Sequence, residues 1–90
     1  MRNVAFDFQT PLLTQPELIE LRFFVRAFAL DHTREGNLRG LSAGLQDRLN
    51  KDFGEGYEVQ LLDDERTPCN DDEFHSDTLI LLVRNSPTVH

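Results

Sequence analysis

Residues 17–32, ELIELRFFVRAFALDH, decide how the chain is read. Ten of these sixteen residues are apolar and three are Phe, inside a 90-residue chain with a formal net charge of −7. Projected at about 100° per residue, the apolar positions separate into two stripes on roughly opposite sides of a helix. Leu18, Leu21, Val25, Phe28 and Ala29 share the first, with Phe24 at its edge. Ile19, Phe23, Ala27 and Leu30 share the second. Between them run two charged ridges, Arg22 with Arg26 on one side and Glu20 with Asp31 on the other. One stripe is enough to seat a helix on a sheet. The second is either covered by the Leu face of a neighbouring helix or offered to a partner.

The ends of this helix are marked. Thr14 and Glu17 have capping-box spacing, and Leu13 with Leu18 fits a hydrophobic staple. Pro16 falls in the first turn, where a missing N–H costs nothing. Glu17 and Glu20 open the segment and His32 and Arg34 close it, as the helix dipole favours. Gly36 suits a left-handed cap. The pattern predicts a helix over residues 15–34, about 30 Å long.

The flanking elements follow from periodicity. In residues 3–9, NVAFDFQ, alternation places Val4, Phe6 and Phe8 on one face of a strand, and Pro11 cannot continue a ladder. A second helix is expected over 37–53, with Leu38, Leu41, Leu45 and Leu49 in one stripe, Gly54 at its end, and a start that can slip to Ser42. Gly40 and Gly44 each weaken it by about 1 kcal/mol relative to Ala. Their spacing also offers a close approach to another backbone. YEVQLL (57–62) alternates like a half-buried strand, and TLILLV (78–83) is apolar on both faces like a central one.

The expected fold is α+β in the order β-α-α-β-β. It is a two-layer sandwich within one domain, residues 1–90, in which two helices cover one face of a short three-stranded sheet. The last strand is expected in the middle. Residues 45–68, LQDRLNKDFGEGYEVQLLDDERTP, are similar to the helix–strand–Asp–Pro run of the KaiB/thioredoxin-like pattern over about a quarter of the chain. The cis-proline segment that this resemblance implies next is replaced by SDTLIL, and the chain is not assigned to that family.

Composition removes several functional classes. Charged residues interrupt 17–32, so it does not read as a membrane span, which needs about 20 nearly uninterrupted apolar residues. The acid excess is repelled by anionic lipid and by nucleic-acid phosphate, which points to a basic or neutral protein partner. Cys69 is the single cysteine, and MRNVAFDF carries no long apolar leader. A reducing, cytoplasmic setting is therefore expected.

Charge concentrates in residues 63–77, DDERTPCNDDEFHSD, where seven carboxylates face one Arg. A connection this long is either functional or disordered. It reads as a solvated hairpin loop, as a docking element for a basic partner that includes mimicry of nucleic-acid charge, or as a divalent-metal site built from Asp71, Asp72, Glu73, His75 and Asp63. The EF-hand pattern fails in every register, and one His among scattered acids is a poor zinc set. Cys69 and His75 invite a nucleophile–base pairing, but the surrounding carboxylates disfavour a thiolate. The serines lack a nucleophile-elbow context, and GEG at 54–56 does not open a helix. No catalytic, metal or cofactor residues are assigned.

The expected function is that of a non-catalytic acidic binding protein: an adaptor, inhibitor or regulatory subunit acting through protein–protein contacts. Its candidate partner-binding residues are Ile19, Arg22, Phe23, Arg26 and Leu30 on the helix, with Asp63, Asp64, Glu65, Asp71, Asp72 and Glu73 in the loop. A homodimer through the second stripe is expected to be parallel, because antiparallel packing sets each Arg ridge beside its mate's. The alternatives are an inhibitor that imitates nucleic-acid charge, and a cryptic enzyme or metal-binding protein.

Overall fold

A computed structural model of the chain describes residues 3–34, 38–71, 74 and 76–85. Six elements follow one another: β1 (Asn3–Gln9), α1 (Gln15–Thr33), α2 (Leu41–Asp52), β2 (Tyr57–Leu62), β3 (Pro68–Cys69) and β4 (Thr78–Asn85). The architecture is α+β, with two helices on one face of a mixed sheet of order β1-β4-β2-β3. The sheet has four strands rather than the expected three, because the acidic connection contributes β3, which pairs antiparallel with the end of β2. The apolar strand β4 occupies the middle, parallel to β1 and antiparallel to β2.

Register explains the core. Val4, Phe6 and Phe8 on β1 stand beside Leu79, Leu81 and Val83 on β4. Leu81 and Val83 stand in turn beside Leu61 and Val59 on β2. These alternate positions share one face of the sheet. Leu21, Val25 and Ala29 from α1 and Leu41, Leu45 and Leu49 from α2 pack into the same cluster, all essentially excluded from solvent. Burial of this row is the main stabilising term, at about 1.5–3 kcal/mol for each fully covered large aliphatic side chain.

Local signals set the helix boundaries. The backbone N–H of Thr14 donates to Glu17 Oε1 at 2.9 Å, and the Thr14 hydroxyl donates to the same oxygen at 2.8 Å. These hydrogen bonds hold the Glu17 carboxyl below its ordinary range. Leu13 and Leu18 both pack against the core as a staple would place them. At the other end of α1, His32 Nε2 donates to the Arg39 carbonyl at 2.8 Å while its ring stacks on Phe28. Gly36 and Asn37 lie outside the described residues.

Helix α2 begins at Leu41 rather than at 37. Its N-cap, Gly40, has φ +76°, a left-handed conformation that ends any helical run from upstream. Leu38 is nevertheless buried and joins the core. Gly44 meets the Phe28 ring, with 3.5 Å separating Phe28 Cζ from where a Cβ would stand. The room left by that glycine therefore accepts an aromatic side chain from α1. An aromatic chain of Phe28, Phe24, Phe53 and Tyr57 continues along this seam, with centroids 5.3–6.5 Å apart. Burial pushes the Tyr57 hydroxyl above its ordinary pKa, opposed in part by a hydrogen bond with Asn85.

Candidate partner-binding surface

The two stripes of α1 have different fates. The first faces the sheet and α2. The second is not covered by the Leu face of α2, because Leu41, Leu45 and Leu49 spend themselves on the shared core. Phe23 is 73% exposed, Leu30 60% and Ile19 51%, and Ala27 between them is exposed as well. Leu12, 57% exposed, adds a further apolar side chain from the turn before the helix. Single exposed apolar residues need no explanation, but three large ones aligned on one helix face do.

Charged side chains border this stripe. Arg22 stands with its guanidinium 5.8 Å from the centroid of Phe8, which ties that ridge to β1. Arg26 and Glu20 are exposed. Asp31 pairs with Arg34 at 3.5 Å. On the α2 side, Phe24, Ala27, Phe28, Leu30, Asp31, Arg34 and Arg48 line an open groove of about 550 Å³. Arg48 lies over the Phe24 ring at 5.9 Å and also pairs with Asp52. The surface is thus an apolar ridge beside a shallow groove with an aromatic floor, carried on a helix anchored at both ends.

The described carboxylates of the acidic connection divide into two groups. Asp63 closes the β2–β3 turn: its Oδ1 accepts from the backbone N–H of Glu65 at 3.0 Å and of Thr67 at 2.8 Å. Asp71 accepts from the Ser42 hydroxyl at 2.9 Å and from the Ser42 N–H at 3.3 Å, which pins the connection to the first turn of α2. Both acids are half-buried and already engaged. Asp64 and Glu65 are exposed. Asp72, Glu73 and His75 lie outside the described residues, so most of the metal set and the Cys69–His75 pairing are not placed. Among the described residues no group of three His, Cys, Asp or Glu side chains is gathered closely enough to hold a metal ion. The Cys69 thiol donates to the Thr67 carbonyl at 3.3 Å and lies near Asp63.

Two features of this region escape a reading of sequence. Phe74, the aromatic in the run of acids, is buried in the core and anchors the connection from within. Arg66, with φ +63°, forms an ion pair with Asp7. Asp7 stands on β1 opposite Leu82 of β4, so the tie crosses β4 on the face away from the helices. Leu82 and Leu62 are buried on that face, opposite α1 and α2.

No helix among the described residues is long and apolar enough to cross a membrane. No protein-family model matches the chain, and no curated protein or solved structure is significantly similar to it.

Proposed function

We propose that this chain is a non-catalytic binding protein, a cytoplasmic adaptor, inhibitor or regulatory subunit, that engages a protein partner through the outer face of α1. The observation that carries this reading is the row of Ile19, Phe23 and Leu30 standing in water on a helix whose opposite face seats Leu21, Val25 and Ala29 in the core. Covering such side chains is worth about 1.5–3 kcal/mol each, so the row is a concentrated store of association energy. The Arg22/Arg26 ridge and the Glu20/Asp31 ridge set orientation and suppress partners of unmatched charge. Asp64 and Glu65, two exposed acids of the connection, steer a basic region of the same partner from a distance.

A photo-crosslinking amino acid placed at Phe23, and separately at Asp64, tests the assignment in cells. The α1 reading expects a discrete adduct from position 23. Adducts from position 64 alone would transfer the role to the acidic connection, and the reading in which the chain imitates nucleic-acid charge would then gain.

A further inference from the structure

We infer that β1 is a self-complementary edge through which two copies of this chain join their sheets. The inference rests on the sheet edge and is independent of the α1 reading. β1 pairs with β4 on one side, and among the described residues nothing pairs with its other side. Long free edges invite strand addition, and proteins that avoid it shorten the edge or place Lys, Pro or a bulge there. The opposite edge is protected: the two residues of β3 cover Leu61 and Leu62, and the Asn50 and Gln46 side chains of α2 bond the backbone of Tyr57 and Val59. β1 is not: it is seven residues, NVAFDFQ, without Pro or Gly, and its one charge, Asp7, is paired with Arg66.

The backbone polarity of β1 selects a register. The N–H of Asn3 donates to the Asp77 carbonyl at 2.8 Å, so Asn3 turns its backbone groups toward β4. By alternation Ala5, Asp7 and Gln9 do the same, and Val4, Phe6 and Phe8 aim their N–H and C=O groups at the free edge. An antiparallel pairing centred on Phe6 matches the whole of Asn3–Gln9 with its mate. Phe6 then meets Phe6, Val4 meets Phe8, and every outward donor finds an outward acceptor, about six hydrogen bonds in all. On the helix-side face this joins two Phe6/Phe8 stacks, whose rings lie 6.2 Å apart within each copy.

On the other face Ala5 falls opposite Asp7 of the second copy, twice by symmetry. Centring the pairing on Asp7 sets two carboxylates face to face, and like charges directly opposite are destabilising. Centring on Asp7 or on Ala5 leaves only about four backbone hydrogen bonds, so the pairing centred on Phe6 is the one that uses the whole strand. The two-fold axis stands perpendicular to the sheet, so both helical layers lie on the same side of a continuous eight-stranded sheet.

The Ala5–Asp7 contact supplies the test. These are non-hydrogen-bonded positions, where opposing side chains approach most closely. Ala5 is exposed on the face away from the helices, so substitution there leaves the core and the α1 surface untouched. Sedimentation equilibrium over a concentration series is run on the wild type, Ala5→Lys and Ala5→Asp, with circular dichroism to check the fold. Expected is a wild-type dimer that Ala5→Lys tightens and Ala5→Asp weakens, each by about tenfold in dissociation constant through two symmetric contacts. Three results overturn the inference: a wild type that stays monomeric across the series, a dimer indifferent to both variants, or one that both variants shift in the same direction.

Discussion

Leu21 and Phe23 sit two residues apart on one helix, and truncating each to Ala separates the packed side of α1 from the open side. Leu21 is fully buried. Removing a buried Leu side chain costs about 2–5 kcal/mol once the residual cavity is counted. A 90-residue domain has a total stability of roughly 5–13 kcal/mol, so Leu21→Ala consumes a large part of it. Phe23 is 73% exposed, leaving about a quarter of its surface covered. That quarter is worth roughly 0.4–0.8 kcal/mol on the scale for a fully buried Phe. Ala is also the better helix former by several tenths of a kcal/mol, which offsets most of the loss. Phe23→Ala is therefore expected to change stability by less than about 0.5 kcal/mol. Urea denaturation followed by circular dichroism reads both, with the midpoint shifting strongly for Leu21→Ala and hardly at all for Phe23→Ala. A loss of about 2 kcal/mol or more at Phe23 would mean that the second stripe is packed within the chain, and the docking surface would disappear with it.

Three further outcomes follow from particular contacts. The hydrogen bonds from Thr14 lower the folded-state pKa of Glu17. Their contribution is present above the unfolded carboxyl value and is lost as pH falls through the folded one. Stability measured from pH 7 to pH 3 should decline less in Glu17→Gln than in the wild type; identical slopes would show that the cap makes no contribution. Arg66→Ala removes the tie to Asp7 across the outer sheet face and should cost about 0.2–1 kcal/mol, the worth of a half-exposed ion pair; an unchanged urea midpoint would mean the tie is idle in solution. Gly40→Ala forces a Cβ into the left-handed region at φ +76° and should cost about 1–2 kcal/mol although the site has open space; a neutral result in the same assay would show that α2 starts elsewhere.

Much of the fold is legible in the sequence wherever a signal repeats. Seven alternating residues mark β1 and six mark β2, and the structure places both strands at the expected limits, Asn3–Gln9 and Tyr57–Leu62. The Thr14–Glu17 spacing fixes the start of α1 because the capping bonds are local. Helix α2 starts later than its Leu stripe suggests, since Leu38 is buried without being helical and Gly40 is held left-handed. β3 escapes because two residues carry no period. Phe74 escapes because an isolated aromatic among acids has no pattern to join, although its type alone is a reason to expect burial.

Long-range partners are the hardest to read. The parallel pairing of β1 with β4 and the Arg66–Asp7 tie connect residues far apart in the chain, and no local preference encodes either. The loop candidates show the same limit. Composition identifies seven carboxylates but does not tell which are spent on the chain's own backbone, as Asp63 and Asp71 are. The separation of α1 into two apolar stripes is visible from angles alone. Which stripe remains in water depends on where the leucines of α2 go, and that is a property of the packed molecule.

The outer face of α1 is tested most directly by the affinity of the partner crosslinked at position 23 for the wild type and for Phe23→Asp, measured by calorimetry at low and high salt. Covering the exposed 73% of Phe23 corresponds to about 1–2 kcal/mol. The substitution should therefore weaken binding by at least about five- to thirty-fold at both salt concentrations, with the fold of the free protein intact. Affinity that is unchanged by Phe23→Asp but collapses with salt would contradict the account and place recognition in the charges of Asp64 and Glu65.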